Sequence, residues 1–326
     1  MVELRPYQRE VVDLIRKNKR VLVVWRPGAG KTWFSAYLLC HSEELLGIKP
    51  PHLVVTPSVA LHSTWLEYLK RFCSNVGRVK LATYQGVAVN PSKFRGHWGI
   101  IVSDEAHHLP AEKYRVLLSL GYDKMLMVTA TPIRREEGTE RTLFGFADVV
   151  HEVPWVASET ENVKIVVYVV RSEEDRLRTL KLLVDNILLK PLIVYTEYIR
   201  DCINVSRILG TRCLSGETTR KLGLKGERVA NWLKVMFNSY LYSGPRCVVM
   251  TRIGEEGLDI PNLKSIVEYG WLGASHRQVL QRMGRLLHVE GGKYVILTKY
   301  GREYELILNR IVGLRKKGYR VEIVKG

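Results

Sequence analysis

Asp104-Glu105-Ala106-His107 follows the apolar run Gly99-Ile100-Ile101-Val102-Ser103, well downstream of Gly28-Ala29-Gly30-Lys31-Thr32. Two adjacent carboxylates at the end of a buried strand can hold a Mg²⁺ ion and prepare a water molecule. A glycine loop followed by Lys-Thr at the start of a helix can hold a triphosphate. Together these residue types have the chemistry of a nucleotide hydrolysis site.

The loop follows a strand-like run and precedes a helical one, the context such a loop needs. Gly28 and Gly30 let backbone N–H groups turn toward phosphate oxygens, because no Cβ obstructs a positive φ. Lys31 is placed to reach the β- and γ-phosphates, and the Thr32 hydroxyl to bind Mg²⁺. The full GxxxxGK[ST] pattern asks for glycine where this chain has Trp25. Asp104 is expected as a direct or outer-sphere Mg²⁺ partner, and Glu105 as the base that orients the attacking water. A helix N-cap is the plainer role for either carboxylate; the partner loop favours the metal. No carboxylate or thiol stands at zinc-ligand spacing from His107-His108. His107 is therefore read as a hydrogen-bonding member of the site, and His108 as structural.

Short apolar runs must position these groups. Val21–Val24, Leu53–Val55, Ile100–Val102 and Met125–Val128 read as strands of a parallel sheet covered on both faces. Val11, Leu14 and Ile15 share one face of a helix beginning after Pro6. The pattern then restarts, with strands at Leu192–Tyr195, Arg246–Met250, Ser265–Glu268 and Tyr294–Leu297. Helical stretches lie near 172–189, 226–242, 275–287 and 302–317. The expectation is α/β architecture twice over, with domains at 1–155 and 156–326. Pro154 and the polar run Ser158–Asn162 mark the boundary.

The chain has 326 residues and a formal charge of +17, with a pI near 9.7. That excess suggests a polyanionic partner, most simply nucleic acid. The amino terminus lacks the apolar core of a signal peptide, and no apolar run is long enough to span a bilayer. A soluble, intracellular (cytoplasmic or nucleoid-associated) protein is expected. Cys40, Cys73, Cys202, Cys213 and Cys247 are scattered singly, without CxxC spacing. Buried free thiols in a reducing compartment are the expectation.

With these motifs placed, the chain resembles the DExH-box helicases and translocases of superfamily two, in particular the XPB-like branch. That branch also carries His-His-Leu-Pro after the box, here His107–Pro110. The resemblance implies two tandem RecA-like domains, each a parallel sheet flanked by helices, with ATP and Mg²⁺ as cofactors. Arg5-Pro6-Tyr7-Gln8 is similar to the opening motif, which puts Arg5 and Gln8 at the adenine. Thr56-Pro57-Ser58 and Thr83-Tyr84-Gln85 look like motifs that grip the nucleic-acid backbone. Thr129-Ala130-Thr131-Pro132 is similar to the motif linking hydrolysis to domain movement, and His107 belongs to that coupling.

In the second half, Thr196 closes a strand similar to the motif that opens the second RecA-like domain. Gly216 lies in a turn resembling a further strand contact. Thr251–Pro261 is similar to motif V, with Thr251 toward nucleic-acid phosphate and Gly257 and Asp259 toward nucleotide. Gln281-Arg282-Met283-Gly284-Arg285 is similar to motif VI, which supplies catalytic arginines. The basic run Arg315-Lys316-Lys317 reads equally as an extension of the track or as a solvated helix end. The opening motif begins at Arg5, and the stretch from Pro132 to Leu192 is short for a thumb insertion, so a motor core alone is expected.

The resemblance implies an ATP-dependent DNA translocase or helicase with little sequence specificity, since its grips contact phosphates. A protein partner could supply specificity or stimulation. An RNA helicase shares the motif set. An ATP-gated nucleic-acid clamp is the reading from another class, and His288 favours it. The family pattern QRxGRxxR ends in arginine where this chain has His288. A neutral histidine cannot match the charge an arginine brings to the transferred phosphoryl group. His288→Arg is therefore expected to raise kcat by roughly several-fold, because Arg282 and Arg285 are already present. Steady-state ATPase at saturating DNA measures it, with melting temperature as the folding control. An unchanged or lower rate means His288 faces away from the γ-phosphate.

Overall fold

A computed structural model describes residues 3–26, 28–130, 139–153, 163–224, 227–251, 260, 262–270, 272, 279, 282–286, 291–316 and 318–326. The chain divides into two compact units, Met1–Pro154 and Trp155–Gly326.

The first unit carries six parallel strands: β1 (Arg20–Trp25), β2 (His52–Thr56), β3 (Val79–Thr83), β4 (His97–Asp104), β5 (Gly121–Thr129) and β6 (Val149–Val153). Their order in the sheet is β3-β2-β4-β5-β1-β6. Among the described residues six α-helices accompany them: α1 (Pro6–Lys17), α2 (Lys31–Cys40), α3 (Ser42–Leu46), α4 (His62–Phe72), α5 (Tyr84–Val89) and α6 (Thr139–Phe144). The central strands are apolar on both faces for a geometric reason. Successive side chains point to opposite faces. Val21, Val23 and Trp25 enter one hydrophobic cluster with Ile100, Val102, Leu126 and Val128. Leu22 joins Leu53, Val55, Ile101, Met125 and Met127 in the other. Each cluster excludes water from one side of the sheet, which explains the nearly unbroken apolar runs. Because the strands are parallel, Trp25, Thr56, Thr83, Asp104 and Thr129 all end at the same edge, the one at which open parallel sheets form their ligand crevice.

The second unit carries seven parallel strands: β7 (Val163–Val170), β8 (Leu192–Thr196), β9 (Cys213–Leu214), β10 (Cys247–Met250), β11 (Ser265–Tyr269), β12 (Gly292–Lys299) and β13 (Val321–Lys325). Their order is β13-β7-β12-β11-β8-β10-β9. Its helices are α7 (Glu173–Asn186), α8 (Ile199–Ile208), α9 (Gly216–Lys221), α10 (Glu227–Phe237) and α11 (Arg302–Lys316). Ser172 caps α7 by accepting from the Asp175 N–H at 3.0 Å, and three acidic residues follow in the first turn. The helical stretch expected near 226–242 ends as an α-helix at Phe237 and continues as a single π-type turn over Asn238–Ser243. The stretch expected over 275–287 lies largely outside the described residues.

The thiol expectation is corrected. Cys40 is disulfide-bonded to Cys73, and Cys202 to Cys213; Cys247 alone is free, and it is buried. Spacing motifs do not show such pairs, because the partners lie 33 and 11 residues apart on different elements. Among the described residues, no helix is long and apolar enough to cross a membrane.

One polar group stitches the sheet to its surroundings. His52 opens β2 and is 1% exposed. The Ile100 N–H donates to its Nδ1 at 3.0 Å. Its Nε2–H therefore donates to Ser42 Oγ at 2.8 Å, and Ser42 donates onward to the Ile48 carbonyl at 2.8 Å. Burial lowers the His52 pKa to about 4. A histidine in the unfolded chain titrates near ~6.5. The unfolded state thus takes up a proton first, so stability is full above about 6.5 and falls as pH drops toward 4. Urea melts across pH 7.5 to 4 should show this loss, and His52→Asn should flatten the part that histidine contributes.

Candidate active site

The loop after β1 is built for left-handed backbone. Gly28 and Gly30 have φ of 77° and 81°, values a side chain would strain. α2 starts directly after Gly30, so its first N–H groups point into the crevice. The Lys31 Nζ curls back to donate to the carbonyls of Trp25 (3.0 Å) and Arg26 (3.1 Å). Burial lowers the Lys31 pKa, while the nearby charges of Glu105 and Asp104 oppose that shift. Thr32 follows in the first turn of α2.

The opening motif docks onto this loop. Gln8 is buried, and its Oε1 accepts from the Arg5 N–H at 2.9 Å. A Cβ on Gly30 would sit 3.5 Å from Gln8 Nε2, so that amide lies beside the loop. Arg5 donates to Tyr7 Oη at 3.0 Å, and Tyr7 donates to the Ala29 carbonyl at 2.8 Å. Tyr7 also packs edge-on to Trp25, with ring centroids 4.9 Å apart. The residue occupying the first glycine position is thus part of an aromatic support under the loop.

Asp104 closes β4 and is 5% exposed. Its Oδ2 accepts from Trp65 Nε1 at 2.8 Å and its Oδ1 from the Glu105 N–H at 3.0 Å. Burial, and then the charge of Glu105, push its pKa up to about 7; Trp65, Lys31 and the Glu105 N–H pull the other way. Glu105 adopts φ 50°, an uncommon conformation for a residue with a side chain, and such strain collects at functional turns. His107 is fully buried, with Nδ1 3.2 Å from Glu105 Oε2 and 3.0 Å from Thr129 Oγ1. The ends of β4 and β5 are thereby tied through one imidazole. The available donors, the Thr32 hydroxyl and the carboxylates, are all oxygen, which suits a hard cation. Mg²⁺ is typically held by one or two protein oxygens plus phosphate. Among the described residues no group of three or more His, Cys, Asp or Glu forms a metal cage.

The residues expected to grip a nucleic-acid strand have local partners in the structure. Thr56 is buried, and its hydroxyl donates to the Ser58 carbonyl at 2.9 Å. Thr196 is also buried and donates to the Tyr198 carbonyl at 3.3 Å. Both hydroxyls form local turns rather than exposed grips; Pro57 beside Thr56 stays half-exposed. Thr83 caps α5 by accepting from the Gly86 N–H at 3.0 Å. Gly216 opens α9 behind the Ser215 cap, and half-buried Thr251 donates its N–H to the Leu214 carbonyl at 3.1 Å.

Arg282 departs furthest from its expected catalytic role. It is 1% exposed, and its Nη1 donates to Glu268 Oε1 at 2.7 Å. Arg310 Nη1 donates to Glu268 Oε2 at 2.6 Å, and Tyr294 Oη donates to Oε1. Arg282 also lies 4.5 Å over the Tyr195 ring. Burial opposes ionisation of Glu268, yet Arg310, Arg282 and Tyr294 hold its carboxyl below the usual range. A guanidinium held this way belongs to the core of the second unit. Arg285 is half-buried and donates to Tyr195 Oη at 2.9 Å. Thr131, Gly257, Asp259, Gln281 and His288 lie outside the described residues.

Sequence reading missed Trp65 and Glu268. Nothing in the sequence sets Trp65 apart from the other tryptophans. Glu268 did carry a signal, since a carboxylate inside a buried strand requires a counter-charge.

Residues 1–134 match the family model described as "Type III restriction enzyme, res subunit". The chain is 26% identical to a putative DNA 3'-5' helicase Rad25 of Halobacterium salinarum, covering 98% of this chain and 58% of that protein. It is 24% identical to a DNA 3'-5' helicase XPB of Kineococcus radiotolerans, covering 98% and 64%. It therefore spans less than two thirds of each relative's length. Among solved structures, RNA-bound Dbp5 of S. cerevisiae matches with a TM-score of 0.68 at 15% identity, covering 99% of this chain and 94% of that one. Mss116p bound to single-stranded RNA matches at 0.71 and 14%, covering 99% and 75%. The two units are RecA-like domains, and the relatives bear out the resemblance to superfamily two and its XPB-like branch.

Glu268→Gln should destabilise the second unit by about 3–5 kcal/mol, because two buried guanidinium groups lose their counter-charge. Chemical denaturation followed by far-UV circular dichroism reads the loss. A change below about 1 kcal/mol would mean the arginines find other partners.

Proposed function

We propose that this chain, a superfamily two motor of XPB-like type, couples ATP hydrolysis to movement along DNA. The observation that carries the reading is the meeting of the left-handed glycine loop and Lys31 with the Asp104–Glu105–His107 strand end in one crevice. Relatives named as DNA 3'-5' helicases favour DNA over RNA as the track.

The chain's own residues divide the work. Gln8 and Arg5, fixed by Tyr7 against the loop, face the base. Backbone N–H groups at Gly28–Lys31 and the Lys31 ammonium receive the phosphates once Lys31 leaves the Trp25 and Arg26 carbonyls. Thr32 and Asp104 would hold Mg²⁺, which neutralises phosphate charge when bound. Glu105 orients the attacking water. His107 joins Glu105 to Thr129, so a change at the carboxylate reaches the end of β5 directly. Of the two described arginines of the motif VI segment, Arg285 is the one proposed for the catalytic role, because Arg282 is held in the core of the second unit. Specificity for a pathway or a DNA structure would come from a protein partner.

Lys31→Ala should abolish hydrolysis and weaken nucleotide binding, since the phosphates lose their cation. Glu105→Gln should still bind ATP but turn over at least about 10²-fold more slowly. ATPase assays with single-stranded DNA, duplex DNA and RNA, beside equilibrium binding of a fluorescent ATP analogue, measure both. Wild-type turnover by Glu105→Gln would overturn the role of Glu105, and stimulation by RNA alone would reassign the track.

A further inference from the structure

Resting on that reading, we propose that Trp65 and Tyr84 are positioning residues that carry contact with the nucleic-acid strand to Asp104. Each is tied in sequence to an expected strand grip. Trp65 lies on α4, the helix after Thr56-Pro57-Ser58, and Tyr84 belongs to Thr83-Tyr84-Gln85. Both are buried, at 0% and 2% exposure. They seize the same residue from two directions. The Trp65 indole holds the Asp104 carboxylate at 2.8 Å. The Tyr84 hydroxyl donates to the Asp104 backbone carbonyl at 2.9 Å. With its one hydrogen so used, Tyr84 accepts from Ser103 Oγ at 2.6 Å.

The two grips are themselves joined. The Ala82 carbonyl, just before Thr83, lies 3.4 Å from Thr56 Oγ1 and 3.4 Å from His62 Nε2 on α4. A phosphate backbone pressing on either loop therefore moves a connected set: α4, the end of β3 and the start of α5. The indole has a single N–H, directed at the carboxylate, and rotating or withdrawing it re-aims Oδ2. A purely structural pair would brace the crevice without answering to DNA.

Trp65→Phe and Tyr84→Phe each remove one hydrogen-bonding group and keep the ring. In the full chain, DNA affinity measured by anisotropy without nucleotide should be unchanged, because neither side chain reaches the surface. The ratio of ATPase rates with and without DNA should fall about tenfold in Trp65→Phe, the effect of losing a hydrogen bond to a charged group. It should fall less in Tyr84→Phe. The Mg²⁺ concentration needed for half-maximal binding of a fluorescent ATP analogue should rise in Trp65→Phe. A further readout needs neither nucleotide nor metal. Among the seven indole N–H resonances, the one missing in Trp65→Phe should shift when DNA is added to the unaltered protein.

An unmoved indole resonance at saturating DNA, or an unchanged stimulation ratio in both variants, overturns the relay. Should Trp65→Phe fail to fold, a retained ratio in Tyr84→Phe overturns it alone. An unaltered protein that binds no nucleic acid instead sinks the functional reading on which the relay rests.

Discussion

A carboxylate is buried at the end of a parallel strand, and the first unit's chemistry is arranged around keeping it there. Leaving water is costly for such a group unless each oxygen finds a donor. Asp104 receives one from Trp65 and one from the next backbone N–H. Those two bonds oppose burial and the neighbouring Glu105 charge, the forces that press toward protonation. The sheet makes the position possible. Only a strand covered on both faces can deliver a charged side chain to a dry edge, and β4 is covered by both hydrophobic clusters of the unit.

The second unit solves the same electrostatic problem in the opposite way. Glu268 sits inside β11, ion-paired to two arginines and hydrogen-bonded by a tyrosine, all from within the unit. The first unit brings two carboxylates and a lysine near one another with opposed pKa shifts, the kind of arrangement that marks a candidate functional site. Similar sheets thus carry either a reactive or an inert buried acid, and the difference lies in the count of counter-charges.

The fold was legible because its signals are local. Strand runs at Val21–Val24 and Ile100–Val102 declare themselves by uninterrupted apolarity, and the glycine loop by composition. Edge strands such as β6 and β13 escaped notice, since Glu152 and Glu322 interrupt the pattern where water reaches one face. The candidate site was legible where a motif fixes both chemistry and backbone, as at Lys31, Asp104 and Glu105, which the structure brings near one another. They were not legible where burial decides the role. Thr56, Thr196 and Arg282 have side chains suited to phosphate, yet each is turned into its own unit by a partner remote in sequence or by the local turn. The cysteines make the same point, because their pairing depends on which helices and strands the fold brings together.

The Cys40–Cys73 bond has a topological side. It closes a covalent ring that starts at the end of α2 and runs through α3 and β2 and along α4. Lys31 stands at the start of α2, ahead of that ring, and Trp65 rides on α4 within it. Linkage across such a span removes about 3–4 kcal/mol of freedom from the unfolded chain. In the folded protein α2 and α4 are pinned to each other at their C-terminal ends, like tongs with a fixed pivot. The pivot sets the spacing of the two helices at the end remote from Lys31, so the loop before α2 and the helix that carries Trp65 share one covalent anchor.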